Sequence, residues 1–261
     1  GALGMLVAVV VTLFAQGIVG YWMIGVGLVI GAVIGAVLAI KIEMTAMPEM
    51  VALFNGFGGA ASVLVAWAEL VVLAGKYNDS VNQAGEASLT GYHSTLIAGL
   101  LAGLIGAVTF WGSLLAFAKL REYKSFRKPF YYPGLQLINA SLGALLILLV
   151  VVGAMNPGSY VIYLLVVLVA SVLGITLVNP IGGADMPVVI ALLNSYSGLA
   201  AAATGFVLDN SVLIIAGSLV GASGVILTQI MCKAMNRSLV HVLFGVLEAG
   251  EGSATADEVY G

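Results

Sequence analysis

Charge is the scarcest property of this sequence. Only 8% of the 261 residues are charged and 61% are hydrophobic, whereas soluble domains carry about 25% charged residues. A water-soluble core has no room for so much apolar side chain, so the composition excludes an ordinary soluble domain. The net charge of -3 says nothing about nucleic acid, but the nine basic residues, most of them in one loop, make no nucleic-acid-binding groove.

Cysteine is nearly absent too. The single residue, Cys232, excludes an internal disulfide and a metal site built from several cysteines. No order of Ser, His and Asp suggests a catalytic triad, and no His and Glu spacing fits a metal. The glycine-rich residues 56–59 follow a helix start and not a strand, so they are not a dinucleotide-binding fingerprint.

Long apolar runs are what the sequence has in abundance. A membrane-spanning helix needs about 20 mainly apolar residues, and we place such runs at 3–18, 21–40, 48–74, 93–117, 135–154, 159–178, 187–208 and 212–234. The predicted fold class is all-α, a polytopic transmembrane bundle of about eight helices within residues 1–240. We predict that residues 241–261 are an acidic, flexible linker to a further C-terminal domain.

The basic residues predict the orientation of the spans. Lys and Arg are retained on the cytoplasmic side of a membrane. All but Lys76 fall in loops or helix ends that share one side of the predicted bundle. We therefore expect both termini of the chain in the cytoplasm, and we expect an earlier helix before the apolar start.

Two pairs of segments repeat. Residues 47–61 and 186–200 share Met-Pro, Ala-Leu, Asn, Gly and Ala in register, and residues 96–106 resemble residues 214–224. An even number of helices separates the copies, so both copies point the same way. We predict a parallel internal repeat, with the functional site where the copies meet.

Polar side chains at membrane depth are functional candidates. Asn55 and Asn194 are equivalent in the repeat and lie about 10 Å into their helices. An amide both donates and accepts, so it holds water in a proton pathway without becoming charged. The alternative is a structural hydrogen bond between helices. Ser195 and Ser197 stand beside Asn194 and extend its polar surface.

Acidic and titratable residues mark the ends of the same helices. Glu69 and His93 lie toward the outer surface, as proton-entry groups or as interfacial residues in contact with water. Asp185 precedes a helix, where it either caps the helix or forms a cytoplasmic gate that senses a neighbouring domain. Glu43 and Glu49 flank the matching turn of the first repeat and are weaker candidates for the same role.

Five motifs are long enough to compare with known families: KIEMTAMPE at 41–49, GAVTF at 106–110, IGGADMP at 181–187, LNSYSG at 193–198 and MCKAMNRS at 231–238. Together they resemble the beta subunit of proton-translocating NAD(P) transhydrogenase, over essentially the whole chain. The resemblance implies a membrane domain that couples proton movement to hydride transfer between NADH and NADP.

The resemblance also implies cofactors and partners. One soluble domain, on the alpha subunit, binds NAD(H), and another, at the C-terminus of the beta chain, binds NADP(H). We expect this chain to bind no nucleotide itself, with NAD and NADP as cofactors of the complete enzyme. The expected setting is the lipid bilayer of the bacterial inner membrane. There the chain meets its NADP(H)-binding domain and the alpha subunit with further membrane helices, in a homodimer of the complex.

Single residues acquire roles from the same resemblance. Asn194 matches a proton-path asparagine, and Asp185 matches an acid that communicates with the NADP(H)-binding domain. Lys233 and Arg237 match basic residues near the linker. In the family, a glycine face of the last helix affects coupling. Three glycines of this chain match it: Gly217, Gly221 and Gly224. The first two also form a small-xxx-small stripe, which lets helix backbones approach in lipid.

One position departs from the family pattern. Some members have a proton-path histidine where this sequence has Thr95, and His93 lies two residues earlier. Two residues turn a helix by about 200°, so the two side chains face nearly opposite ways. The alternative to His93 is a histidine supplied by another subunit.

Two other functions fit the residues without the resemblance. A stand-alone secondary transporter explains the parallel repeat and the polar groups inside the spans, but not the acidic tail. A non-conducting assembly subunit explains the glycine stripes.

Overall fold

Helices make up all the regular structure in the part of the chain that the structure describes. The computed structural model describes residues 21–84, 93–123, 126, 132 and 134–244, with a few isolated positions before residue 20. The helices are α1 (Tyr21–Lys41), α2 (Met47–Ala84), α3 (His93–Leu120), α4 (Leu135–Met155), α5 (Tyr160–Val178), α6 (Met186–Val207), α7 (Ser211–Ala234) and the short α8 (Leu239–Phe244).

Seven of the described helices are long and apolar enough to cross a membrane. The all-α, polytopic fold class is therefore confirmed, and the chain is a multi-pass membrane protein. Helices α1 to α7 match seven of the eight predicted spans. The predicted span at 3–18 falls almost wholly outside the described residues, as do residues 245–261 of the predicted linker.

Helix α2 continues ten residues past its predicted end at residue 74. Its 38 residues rise about 57 Å at 1.5 Å per residue, which exceeds the roughly 30 Å of a bilayer's hydrocarbon core. The sequence turns polar where the helix outgrows that core, so hydropathy alone does not show the continuation. The extension packs on the turn between α4 and α5, where the Asn78 side-chain amide donates to the Gly158 carbonyl at 3.4 Å.

The chain divides into two compact units, Gly1–Met47 and Pro48–Gly261. The first contains α1. The second contains α2, apart from its first residue, and all the later helices. A short 3₁₀ turn precedes the first helix of each repeat, at Met44–Ala46 before α2 and at Gly183–Asp185 before α6. The two turns are equivalent in the sequence repeat.

Two clusters of buried apolar side chains hold the second unit together. One, which includes Ile181, Met186 and Leu193, lies where α2 and α6 begin. The other includes Leu70, in the C-terminal half of α2, and Leu100, in the N-terminal half of α3. The partly buried ring of Tyr196, on α6, packs against both clusters. Helix α6 therefore forms part of both cores.

In each repeat, the two helices approach closely at a glycine of the first helix. A Cβ added to Gly59 of α2 would lie 2.5 Å from the carbonyl oxygen of Gly106 in α3, and one added to Gly198 of α6 would lie 2.5 Å from the nitrogen of Gly221 in α7. Gly59 and Gly198 are equivalent in the repeat. Their partners are not, because Gly106 matches Gly224. The second pair is therefore shifted by about one helical turn.

We predict that Gly59→Ala destabilises the folded protein by about 1–3 kcal/mol, because the new methyl group has no room against the α3 backbone. The measurement is thermal unfolding in detergent. Gly75→Ala is the matched control, since it lies on the same helix and a Cβ there meets nothing within 4 Å. Equal unfolding temperatures for the two variants would contradict the close crossing.

Candidate functional site

The first helices of the two repeats, α2 and α6, pack together through polar groups. The buried Asn55 side chain donates from Nδ2 to the Ile190 carbonyl oxygen at 3.4 Å. A Cβ added to Gly58 would lie 3.7 Å from the Ser197 hydroxyl oxygen. The two copies of the repeat therefore meet at the face of α2 that carries Asn55 and the face of α6 that carries Ser197.

Asn194 lies on the same face of α6. Positions 190, 194 and 197 are four and three residues apart, which places them on one side of a helix. The Asn194 side chain is half-buried, and among the described residues its amide has no hydrogen-bond partner. Of the two repeat-equivalent asparagines, Asn55 bonds the neighbouring helix, whereas within the described part of the chain Asn194 keeps its donors and acceptors available.

Helix α2 carries a row of polar side chains, which we call the ladder, on the face that contains Asn55. Ser62 and Glu69 follow at intervals of seven residues, which keeps them nearly aligned along the helix and about 10.5 Å apart. Ser62 is buried and donates to the Gly58 carbonyl oxygen at 3.2 Å, and Glu69 is half-buried. The ladder covers about 21 Å of the roughly 30 Å hydrocarbon core. Sequence reasoning missed Ser62, although its heptad spacing from Asn55 and Glu69 is a usable signal.

Ser195 belongs to a different contact. Its hydroxyl is fully buried and donates to the Gly221 carbonyl oxygen in α7 at 2.6 Å. A Cβ on Gly224 would lie 2.8 Å from the Ser195 backbone, and Cβ atoms on Gly217 and Gly221 would also meet α6 within 3 Å. These three glycines and Ser195 therefore form the interface between α6 and α7, while Ser197 remains on the α2 side.

His93 is the first residue of α3 and its side chain is exposed, whereas Thr95 is half-buried. The two side chains thus differ in environment, as the 200° between them implies. The structure assigns no hydrogen bond to His93 among the described residues.

One end of the second unit gathers basic residues, and we call it the basic end: Lys119, Arg121, Lys233 and Arg237. There Nη1 of Arg237 donates to Oδ2 of Asp185 at 2.9 Å. Asp185 is the residue before α6, where the helix dipole favours an acid, but its side chain makes no hydrogen bond to the start of that helix. Its other oxygen, Oδ1, is buried without a hydrogen-bond partner in the described part of the chain.

The first repeat contains a similar ion pair. Glu49, in the first turn of α2, pairs with Arg121, directly after α3. In each repeat an acid at the start of the first helix binds an arginine just past the second helix. Sequence reasoning named both acids but paired neither, because each partner lies more than 50 residues away. Glu43 and Lys233 are exposed.

Helix α8 contacts the interior of the second unit at the basic end. Val242 is buried, and Leu243 helps to line an apolar cavity of about 140 Å³ with Leu193 and Tyr196. The predicted linker start at residue 241 falls inside this helix. The segment that follows α7 is therefore in direct contact with α6, which carries Asn194.

We predict a coupling free energy of about 0.2–1 kcal/mol between Asp185 and Arg237, since partly exposed ion pairs contribute little. A double-mutant cycle of Asp185→Asn and Arg237→Gln, measured by denaturant unfolding, gives this value. Lys233→Gln in place of Arg237→Gln is the control and should show no coupling to Asp185. Equal coupling for both cations would contradict the specific ion pair.

Comparison with known proteins finds one matching family and similar relatives. The model of the NAD(P) transhydrogenase beta subunit family matches residues 1–260. Two relatives named NAD(P) transhydrogenase subunit beta, from Rhodospirillum rubrum and from a strain of that species, are each 43% identical over 257 residues. The match covers 98% of this chain and 53% of each relative, so the chain spans about half the length of the curated relatives it matches.

Proposed function

Because the chain belongs to the NAD(P) transhydrogenase beta subunit family, we propose that it couples proton translocation to hydride transfer between NAD(H) and NADP(H). The chain is the membrane domain of this system, and the hydride passes between partner soluble domains that hold the nucleotides. Its own NADP(H)-binding domain follows α8, and the NAD(H)-binding domain belongs to an alpha subunit that adds membrane helices.

The observation that carries this proposal is the polar contact between α2 and α6. We call it the polar seam, and it comprises Asn55 on α2 with Asn194 and Ser197 on α6. A proton enters near Glu69 or His93, passes Ser62 and is relayed by water held at Asn194. An unpaired amide suits this task because it donates to one water and accepts from the next while staying neutral. Asn55 and Ser197 line the same seam.

Coupling takes place at the basic end. We assign the Asp185 carboxylate as the contact that reports nucleotide occupancy, since it pairs with Arg237, in the segment between α7 and α8 that leads toward the NADP(H)-binding domain. The ion pair with Arg237 holds the carboxylate ready for that contact. Within the second unit, Glu49 and Lys233 form its charged surroundings. Glu43 stays a weaker candidate for the same role. The basic end lies on the cytoplasmic side of the bacterial inner membrane. The complex is a homodimer.

We predict that Asn194→Ala lowers proton pumping and coupled hydride transfer by about tenfold or more, because a proton relay loses its polar group. The measurement uses the complete enzyme in sealed vesicles, with a pH-sensitive dye and reduction of an NADP analogue by NADH. Asn156→Ala, on the exposed turn after α4, is the matched control and should match the wild type. Wild-type pumping by the Asn194 variant would remove that residue from the pathway.

The same vesicles test the function as a whole. An imposed proton gradient should accelerate hydride transfer in the wild-type complex, and Asp185→Asn should abolish the acceleration. Absence of hydride transfer in a folded, assembled complex would overturn the proposal. Substrate-dependent uptake by this chain alone would then favour a stand-alone transporter.

A further inference from the structure

Lys119 has surroundings that the proposed function leaves unexplained. It lies at the end of α3 with its side chain buried. Its Nζ donates to the carbonyl oxygens of Val178 at 3.1 Å and Ile181 at 2.8 Å, and also to that of Asn179. An ammonium has three N–H donors, so one short stretch of backbone takes all of them.

This contact is a helix cap supplied from another helix. The last carbonyls of an α-helix have no partner within it, and a cation beside them is favoured by the helix dipole. Here the helix is α5, which ends at Val178, and the cation comes from α3, about 60 residues earlier. Lys119 therefore ties the end of α3, in the first repeat, to the turn that leads into the second.

That turn runs directly into Asp185. Gly182 and Gly183 follow Ile181, and a Cβ on either would meet nothing within 4 Å. Ala184 is exposed. Side-chain packing therefore does little to hold residues 182–184. The buried Ile181 and the Lys119 ammonium fix one end of this segment, and the Asp185 ion pair fixes the other.

The sequence repeat relates the two cations that act on this segment. Lys119 and Arg237 have the same spacing as the equivalent glycines Gly106 and Gly224. The end of the second helix in each repeat thus contributes one cation to the segment that begins α6. Lys119 binds its backbone and Arg237 binds the Asp185 side chain.

We propose that Lys119 is a positioning residue for coupling: by holding the backbone of residues 178–181, it orients the Asp185 carboxylate at the basic end. This inference rests on the proposed function of Asp185. It predicts that the length and charge of the side chain matter, because both are needed to reach and satisfy the carbonyl groups of the turn.

The first test follows the segment itself. A spin label is attached at Ala184→Cys in a Cys232→Ala background of the complete complex. Lys119→Met should raise the mobility of the label, Lys119→Arg should preserve it, and Lys41→Met, the same change on α1, should leave it unchanged. Unchanged mobility in Lys119→Met overturns the proposal. If that variant does not assemble, Lys119→Gln replaces it with the same expectation.

The second test follows coupling. In sealed vesicles, the acceleration of hydride transfer by a proton gradient should fall by about fivefold or more in Lys119→Met and persist in Lys119→Arg. A mobile label with wild-type acceleration would reduce Lys119 to a helix cap and overturn its positioning role. A wild-type complex that ignores the gradient would overturn the proposed function alone, since the label still shows whether Lys119 holds the segment.

Discussion

Close approach of helix backbones at Gly59 and Gly198 is the contact on which the rest of the second unit depends. In lipid, the hydrophobic effect gives helices little reason to associate, so van der Waals contact must supply much of the attraction. Each glycine removes the side chain that would separate its helix from the next. Two tight helix pairs result, and between them Asn55 bonds Ile190 of the opposite repeat, on the face of α6 that also carries Asn194.

The two repeats use equivalent positions for different tasks. Asn55 bonds the Ile190 carbonyl, whereas Asn194 has no partner among the described residues. Lys119 caps a helix, whereas Arg237 pairs with a carboxylate. Under the proposed function, these differences concentrate the functional groups in the second repeat, with the Asn194 amide on α6 and the Asp185 carboxylate in the turn before it. The first repeat holds that helix in place.

Features that depend on local sequence were predictable. Apolar runs of spanning length gave seven described helices, with α3 to α7 ending within a few residues of expectation, and the repeat identified Asn55 and Asn194 as a pair. Features that depend on distant contacts were not. Lys119 lies just past the predicted span at 93–117, and the sequence does not show that its acceptors are backbone carbonyls about 60 residues away. For Asp185 the sequence left a helix cap and a cytoplasmic gate open, and it does not show that Arg237 reaches this residue.

The one-turn shift between the helix pairs has a consequence for stoichiometry. A repeat with strict twofold symmetry would present two identical conduits, each with an asparagine at the same depth and in the same state. Here one amide is bonded to backbone and the other has no partner among the described residues, so under the proposed function the chain would offer a single conduit. A protein built from a duplicated sequence would thus carry one proton channel per copy.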